Sequence, residues 1–250
     1  CKKKPEESNF AKIEKDMIVI GLRGGIFGFH PWIENYETST MSVNFNIFNS
    51  LVEFDKNYKV LPALAVSWGN PDKITWRFNL RKDVVFHNGA LFTAHDVKYT
   101  VDYILADKDN ALKDLLTSID SVVVVDDYTV DIHTKEPTPI LLNKMCDIFI
   151  LSKDYANKKE QKPNGTGAYK LVEYVKGDYI KLERFESYWK KKVPIKTVIL
   201  KVISNDDERI NALLTKKIDF AELIPPHRKD VFKNVEGIET IVFPSTRVIY

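Results

Sequence analysis

A strand, helix and strand pattern near the end of the sequence constrains the fold most. Residues 197–203 form a nearly continuous apolar run, as expected for a strand buried on both faces of a sheet. Polar residues then cap a helix predicted over residues 209–215, and residues 218–221 return as a short strand. This order predicts a βαβ unit with parallel strands, and residues 238–243 predict one more strand.

Antiparallel strands are predicted upstream. Residues 75–80 alternate apolar and polar side chains with period two, and residues 84–86 are their predicted partner. Residues 122–134 and 167–185 each predict a hairpin, and residues 17–21 predict a short apolar strand. Together with the βαβ unit, these elements predict an α/β fold of mixed α+β character.

Helices are predicted between these strands. Thr93 and Asp96 resemble a capping box that opens a helix through Leu105. Residues 41–53 are predicted to be mostly helical, and residues 136–139 start another helix with proline in its first turn.

Charge and motifs exclude several functions. The 37 basic and 35 acidic residues give a net charge of +2, so the sequence offers no clustered basic face for nucleic acid. It has no apolar run of 18 or more residues that could cross a bilayer. The serine-hydrolase, zinc-protease and phosphate-loop motifs are absent, so we expect no enzyme. His30 and His95 are not spaced with other ligands, so we predict no metal site and no cofactor.

The two cysteines have different expected roles. Cys1 precedes a polar, charged stretch, as in a mature bacterial lipoprotein, and we expect it to carry lipid; the alternative is an arbitrary boundary at a cysteine. Cys146 lies in an apolar stretch and is predicted to be a small buried hydrophobic residue.

Residues 22–32 form a loop that presents aromatic rings. Three glycines and a proline prevent a regular element there. The rings belong to Phe27, Phe29, His30 and Trp32, which either line a binding cleft or anchor the loop in the core.

Several segments, in order along nearly the whole chain, resemble the family 5 solute-binding proteins of ATP-binding-cassette (ABC) importers. The segments are residues 60–68 (VLPALAVSW), 75–89 (TWRFNLRKDVVFHNG), 92–97 (FTAHDV) and 164–171 (NGTGAYKL), then Arg184 with Tyr188 and Trp189, and Glu208 and Arg209 followed by residues 219–225 (DFAELIP). The chain departs from the family pattern in three respects. Lys216 and Lys217 stand where a glycine is usual, residues 90–92 (ALF) are slightly altered from the usual pattern, and relatives are usually about twice as long.

The resemblance implies a lobe of the periplasmic-binding-protein type (type II) with a smaller β-rich domain inserted and the second lobe missing. Residues 1–15 are then a tether, residues 16–45 and 166–250 a discontinuous domain I, and residues 46–165 the inserted domain II. Without the opposite lobe, the chain alone is expected to bind peptide weakly or not at all.

The resemblance also implies a function. The expected protein captures a di- or oligopeptide, or another small solute, and delivers it to ABC permease subunits. It is expected to be a monomer, lipid-anchored at the periplasmic or extracellular face of the cytoplasmic membrane. The expected ligand-binding residues are Phe27, Phe29, His30, Trp32, Asn164, Gly167, Glu222 and Tyr250. The alternatives are a sensor or surface adhesin on the same scaffold, or a nickel or haem carrier.

Overall fold

The computed structural model describes residues 15–26, 28–29, 31, 38–154 and 162–241. The strands are β1 (Met17–Leu22), β2 (Val52–Phe54), β3 (Val60–Pro62), β4 (Ala65–Gly69), β5 (Thr75–Leu80), β6 (Ile119–Asp126), β7 (Thr129–Thr134), β8 (Tyr169–Val175), β9 (Tyr179–Arg184), β10 (Thr197–Val202) and β11 (Phe220–Ala221). The helices are α1 (Thr38–Ile47), α2 (Ala94–Ala106), α3 (Lys113–Leu116), α4 (Leu141–Met145) and α5 (Asp206–Leu214), followed by a 3-10 helix (Pro226–Phe232).

A five-stranded sheet has the order β11-β1-β10-β9-β8. Strands β10 and β11 both pair with β1 in parallel, and α5 connects them across β1, which confirms the predicted βαβ unit. Strands β9 and β8 add an antiparallel hairpin, also as predicted, with Gly177 at its turn. Gly177 has φ +79°, a conformation that glycine adopts without a steric penalty.

A second, four-stranded antiparallel sheet has the order β4-β5-β7-β6. The predicted hairpin of β6 and β7 is confirmed, but the predicted partner of β5 is wrong. Strand β5 pairs with β4 and β7, whereas Val85 forms only an isolated bridge with Leu91. The segment 84–86 follows β5 after only three residues, whereas the strand's partner β7 lies about 55 residues further along the chain. Short spacing in the sequence therefore favoured the wrong pairing.

Three other local predictions change. Helix α1 ends at Ile47, and β2 follows within the segment predicted to be helical. The helix expected from residue 136 begins only at Leu141. Residues 238–241 form no strand, and residues 242 and 243 lie outside the described residues.

The capping box of α2 is confirmed. Asp96 Oδ2 accepts hydrogen bonds from Thr93 N (2.8 Å) and Thr93 Oγ1 (3.1 Å), and Asp96 Oδ1 accepts one from Lys153 N (2.7 Å). The side chain is only 2% exposed, and burial raises the pKa of its carboxyl although these bonds act in the opposite direction. The shorter aspartate therefore fills the place of the usual glutamate and also ties α2 to residue 153.

One hydrophobic core joins the two sheets. It includes Leu200 from the five-stranded sheet, Phe78 from the four-stranded sheet, and Phe48 just after α1. Cys146 belongs to this core as a free, buried thiol, which confirms its predicted role.

Lys216, the second residue after α5, stands where the family pattern usually has a glycine. Lys216 lies just past the helix end and has φ +56°. Helices commonly end with a residue in this left-handed conformation, and glycine occupies it most easily because it has no Cβ. Here a lysine adopts this left-handed conformation, at the cost of backbone strain.

Candidate functional site at the carboxyl ends of the parallel strands

Strands β1, β10 and β11 point their carboxyl ends at the same edge of the sheet. The ladder continues past these ends: Ile203 N donates to Leu22 O (2.9 Å) and Glu222 N donates to Gly21 O (2.9 Å). In open α/β sheets, ligands bind in the crevice formed by the loops that leave this edge. The carboxyl edge, meaning the residues that follow these three strands, is therefore the candidate site.

Arg209 on α5 ties two of these loops together. Its side chain is fully buried and donates to the carbonyl oxygens of Ile203 (2.7 Å), Glu222 (2.9 Å) and Leu223 (3.2 Å). Asp206 Oδ1 accepts a further bond from its Nη2 at 2.5 Å, and this bond lowers the pKa of the Asp206 carboxyl. The guanidinium charge is thus paired, and it holds the residues after β10 and β11 in place.

The Glu222 side chain reaches the start of α1. Its Oε2 lies 3.4 Å from Ser39 Oγ, which donates to it from the first turn of the helix. Ser39 is 1% exposed, and Glu222 is half-buried. The next residue along the chain, Leu223, is 53% exposed and has φ +51°. The carboxyl edge therefore combines an acceptor held in place with an exposed apolar surface.

Sequence reasoning did not assign a role to Ser39 or Arg209. The sequence predicted a helix only from Arg209 and left Asp206 among its capping residues, so it did not indicate that the two side chains meet at the i, i+3 spacing of one helix. Nothing near Ser39 in the sequence indicates that it contacts a residue 183 positions away.

Asn164 and Gly167 lie elsewhere and contact the chain itself. Asn164 Oδ1 accepts from Asn88 N (3.0 Å), and Gly167 N donates to Ile47 O (2.8 Å). Ile47 is the last residue of α1, whereas Ser39 is in its first turn, a separation of roughly 12 Å along the helix axis. The structure thus does not bring these two residues together with Glu222.

The aromatic loop is described only in part. The Phe29 ring meets the Tyr174 ring edge to face with centroids 5.0 Å apart, and it packs against the core. It therefore has the contacts of a loop anchor. The other predicted residues, Cys1, Phe27, His30, Trp32 and Tyr250, lie outside the described residues.

Comparison with known proteins identifies the family of the chain. The family model described as "Bacterial extracellular solute-binding proteins, family 5 Middle" matches residues 59–250. The chain belongs to this family.

Individual relatives of this family 5 chain are distant. It is 28% identical over 237 residues to the glutathione-binding protein GsiB of Pectobacterium atrosepticum, covering 91% of this chain and 46% of GsiB. It is 26% identical to the probable ABC transporter periplasmic-binding protein SapA of Escherichia coli, covering 98% and 51%. The crystal structure of NikZ from Campylobacter jejuni with Ni(L-His) aligns with a TM-score of 0.81 at 28% identity, covering 90% and 46%. The chain spans about half the length of these relatives.

The described residues were considered for metal-ligating groups and for membrane-spanning helices. Within the described residues, no three histidine, cysteine or acidic side chains are grouped so that they could hold a metal ion. Over the same residues, no helix has the length and apolar character needed to cross a membrane.

His87 ties its own turn to residues 165–167 in this family 5 chain. Its Nε2 lies 3.0 Å from Gly167 O and so carries the proton that it donates, while its backbone N donates to Gly165 O (2.9 Å). Its Nδ1 is buried and has no hydrogen-bond partner among the residues that the structure describes, and its ring meets Phe185 edge to face at 4.9 Å. Burial, only partly opposed by the Gly167 bond, lowers the pKa of His87 to about 4.

The lowered pKa of His87 predicts that acid destabilises the folded protein. Between about pH 6.5 and about pH 4 the unfolded chain binds a proton at His87 and the folded chain does not, so the free energy of unfolding falls as the pH falls. The expected loss is about 2 kcal/mol between about pH 7.5 and about pH 5. Urea unfolding across this range measures it. The His87→Gln variant keeps a donor for Gly167 O and should lose this part of the slope, whereas His95→Gln, at an exposed histidine, should keep it. Equal slopes in wild type and His87→Gln would contradict the assignment.

Proposed function

We propose that this chain is part of the substrate-binding component of an ABC-type importer, which captures a di- or oligopeptide outside the cytoplasmic membrane and delivers it to permease subunits. The family match over residues 59–250 carries the proposal. SapA is named as an ABC transporter periplasmic-binding protein, and glutathione, the ligand in the name of GsiB, is a tripeptide. The role is binding rather than catalysis.

The carboxyl edge supplies one wall of the proposed cleft. The Glu222 carboxylate, positioned by Ser39 and by the Arg209 bond to its carbonyl, can accept charge-assisted hydrogen bonds from a peptide ammonium group. The aromatic loop leaves β1 at this same edge, so Phe27, Phe29, His30 and Trp32 are proposed to stack on the solute, with Tyr250 as a further contact. Asn164 and Gly167 are proposed to support the cleft by their contacts with α1 and with the 87–88 turn.

We also propose the domain division implied by the family resemblance. Domain I would comprise residues 16–45 and 166–250, and domain II residues 46–165. The strands of the five-stranded sheet fall in the first set and those of the four-stranded sheet in the second, which supports this division. The solute would be held when an opposite lobe closes over the carboxyl edge.

Uptake of labelled peptide in cells tests the proposal. Deletion of the gene should abolish uptake of a labelled tripeptide, and the wild-type gene should restore it. Glu222→Gln should lower the peptide affinity of the purified whole protein, with both lobes present, by about tenfold, because a charged acceptor is lost. Glu239→Gln, at an exposed glutamate, is the matched control and should change nothing. Unchanged uptake after deletion would contradict import.

A nickel-chelate carrier is the second candidate, because NikZ, the aligned structure, holds Ni(L-His). Calorimetry of the same purified protein with Ni(L-His) and with tripeptides separates the two. Binding of the nickel complex alone would replace the peptide proposal. Peptide binding without any effect of deletion on uptake would favour a sensor or adhesin.

A further inference from the structure

A cavity lies away from the carboxyl edge, around the C-terminal end of α1. Its volume is about 320 Å³, comparable to about ten water molecules. The rings that line it are Phe45, Phe48, Phe54, Phe149 and Tyr188. A concave surface of this size that combines aromatic rings with polar and charged side chains fits a small organic molecule rather than a protein segment.

The aromatic floor of this cavity is rigid and its rim is open. Phe48 and Phe149 are 0% and 2% exposed, and their ring centroids lie 6.0 Å apart. Phe45 stands on the rim, 54% exposed, with its ring edge to face with Phe149 at 5.1 Å. Because Phe45 already packs edge to face against the buried Phe149, its ring can contact a ligand with little further loss of conformational entropy.

The charges around the cavity leave one carboxylate without a partner. Both carboxylate oxygens of Glu53 contact Lys190 Nζ, at 2.5 Å and 2.7 Å, so this pair is neutral as a unit. Asp147 also lines the cavity, and within the described part of the chain no hydrogen bond or ion pair reaches its side chain. The cavity therefore carries a net charge of −1 at neutral pH.

Two pKa shifts agree with a negative cavity. Asp147 lines the cavity as an exposed residue, and the partial desolvation of its carboxyl raises the pKa of that group. Burial raises the pKa of Cys146 to about 12, and the charges of Asp147 and Glu53 add to this effect. The thiol is thus neutral and unreactive, and the cavity wall lacks a nucleophile at this position.

We propose that this aromatic cavity binds a small organic cation, an ammonium group on an aromatic or branched apolar body. The apolar body would fill the space between Phe45, Phe149 and Tyr188. The ammonium would lie against the Asp147 carboxylate and over a ring face, where a cation is attracted both by the charge and by the ring electrons. This site is separate from the carboxyl edge, because Phe45 lies about 9 Å along α1 from Ser39.

Matched probes separate the contributions of charge and ring. Phenethylamine is the cation, 2-phenylethanol its neutral counterpart, and phenylacetate its anionic one. By NMR titration of the protein, phenethylamine should bind and shift the amides of residues 45–54 and 146–149. The alcohol should bind at least about fivefold more weakly, and the anion should not bind.

Variants then locate the site. Asp147→Asn removes the charge at an exposed position and should make phenethylamine bind no better than the alcohol. Asp120→Asn, at an exposed aspartate of β6, changes the net charge equally and should leave binding unchanged. Phe45→Ala should weaken both ligands. Circular dichroism and thermal unfolding of each variant check that the fold is kept.

Three results would overturn the proposal. The first is the absence of phenethylamine binding at millimolar concentration. The second is equal binding of amine and alcohol by the wild type. The third is an amine preference that survives Asp147→Asn, or that disappears in Glu222→Gln, which would move the binding site to the carboxyl edge.

Discussion

Gly167→Ala is expected to destabilise the folded protein by about 3 kcal/mol, enough to unfold a marginally stable domain. A Cβ at this position would lie against Asn46 O, 2.5 Å from Ile47 C and 2.7 Å from Ile47 O. These are backbone atoms at the end of α1, so they cannot move aside as a flexible side chain could. Urea unfolding measures the loss as a lower midpoint with an unchanged slope.

The chain offers a matched control for this substitution. Gly69 has no atom within 4 Å of the position that a Cβ would occupy, and its φ is not positive. Gly69→Ala should therefore change the free energy of unfolding by less than about 0.5 kcal/mol. If Gly167→Ala were as mild as Gly69→Ala, the close packing of residues 164–167 on α1 would be wrong.

Arg209→Met should cost about 3 to 5 kcal/mol, because it leaves buried acceptors unpaired. The guanidinium is fully buried and donates to three backbone carbonyls and to Asp206. Methionine keeps an unbranched apolar stem but is shorter and cannot donate any of these hydrogen bonds. Because these carbonyls follow β10 and β11, we also expect the carboxyl edge to loosen, with faster amide exchange at residues 203–205 and 222–224.

Lys233→Met is the comparison for Arg209→Met. Lys233 forms an exposed ion pair with Asp230 at 2.9 Å, and pairs of this kind contribute little to stability. Its removal should stay within about 0.5 kcal/mol and leave exchange at the carboxyl edge unchanged. Similar losses from both variants would mean that Arg209 does not hold the edge as described.

Elements with a local signal were predicted well. The alternation of β5, the turn residues of the β6–β7 and β8–β9 hairpins, and the caps of α2 and α5 all appear where the sequence placed them. Each depends on interactions between residues close along the chain, such as the bond from Glu208 N to Asn205 Oδ1. Short elements were predicted poorly: α4 has five residues and β2 has three, too few for a periodic pattern.

Pairing between distant segments could not be derived from local patterns. The order β11-β1-β10 puts the first strand of the sheet between two strands about 180 and 200 residues later. The Ser39 bond to Glu222 depends on this order, because β1 must lie beside β11 before the loops that follow them can meet. Glu222 could be singled out by family resemblance, but its partner could not.

Side-chain pattern, short-range hydrogen bonding and family resemblance were enough to predict the class of the fold, the family and the position of most strands and caps. The burial of Arg209 beneath the carboxyl edge, the packing of Gly167 against α1 and the position of Asp147, unpaired among the described residues, beside an aromatic cavity became visible only in the folded chain. Burial and contact arise when segments far apart in the chain pack together, and no local pattern encodes which ones do so.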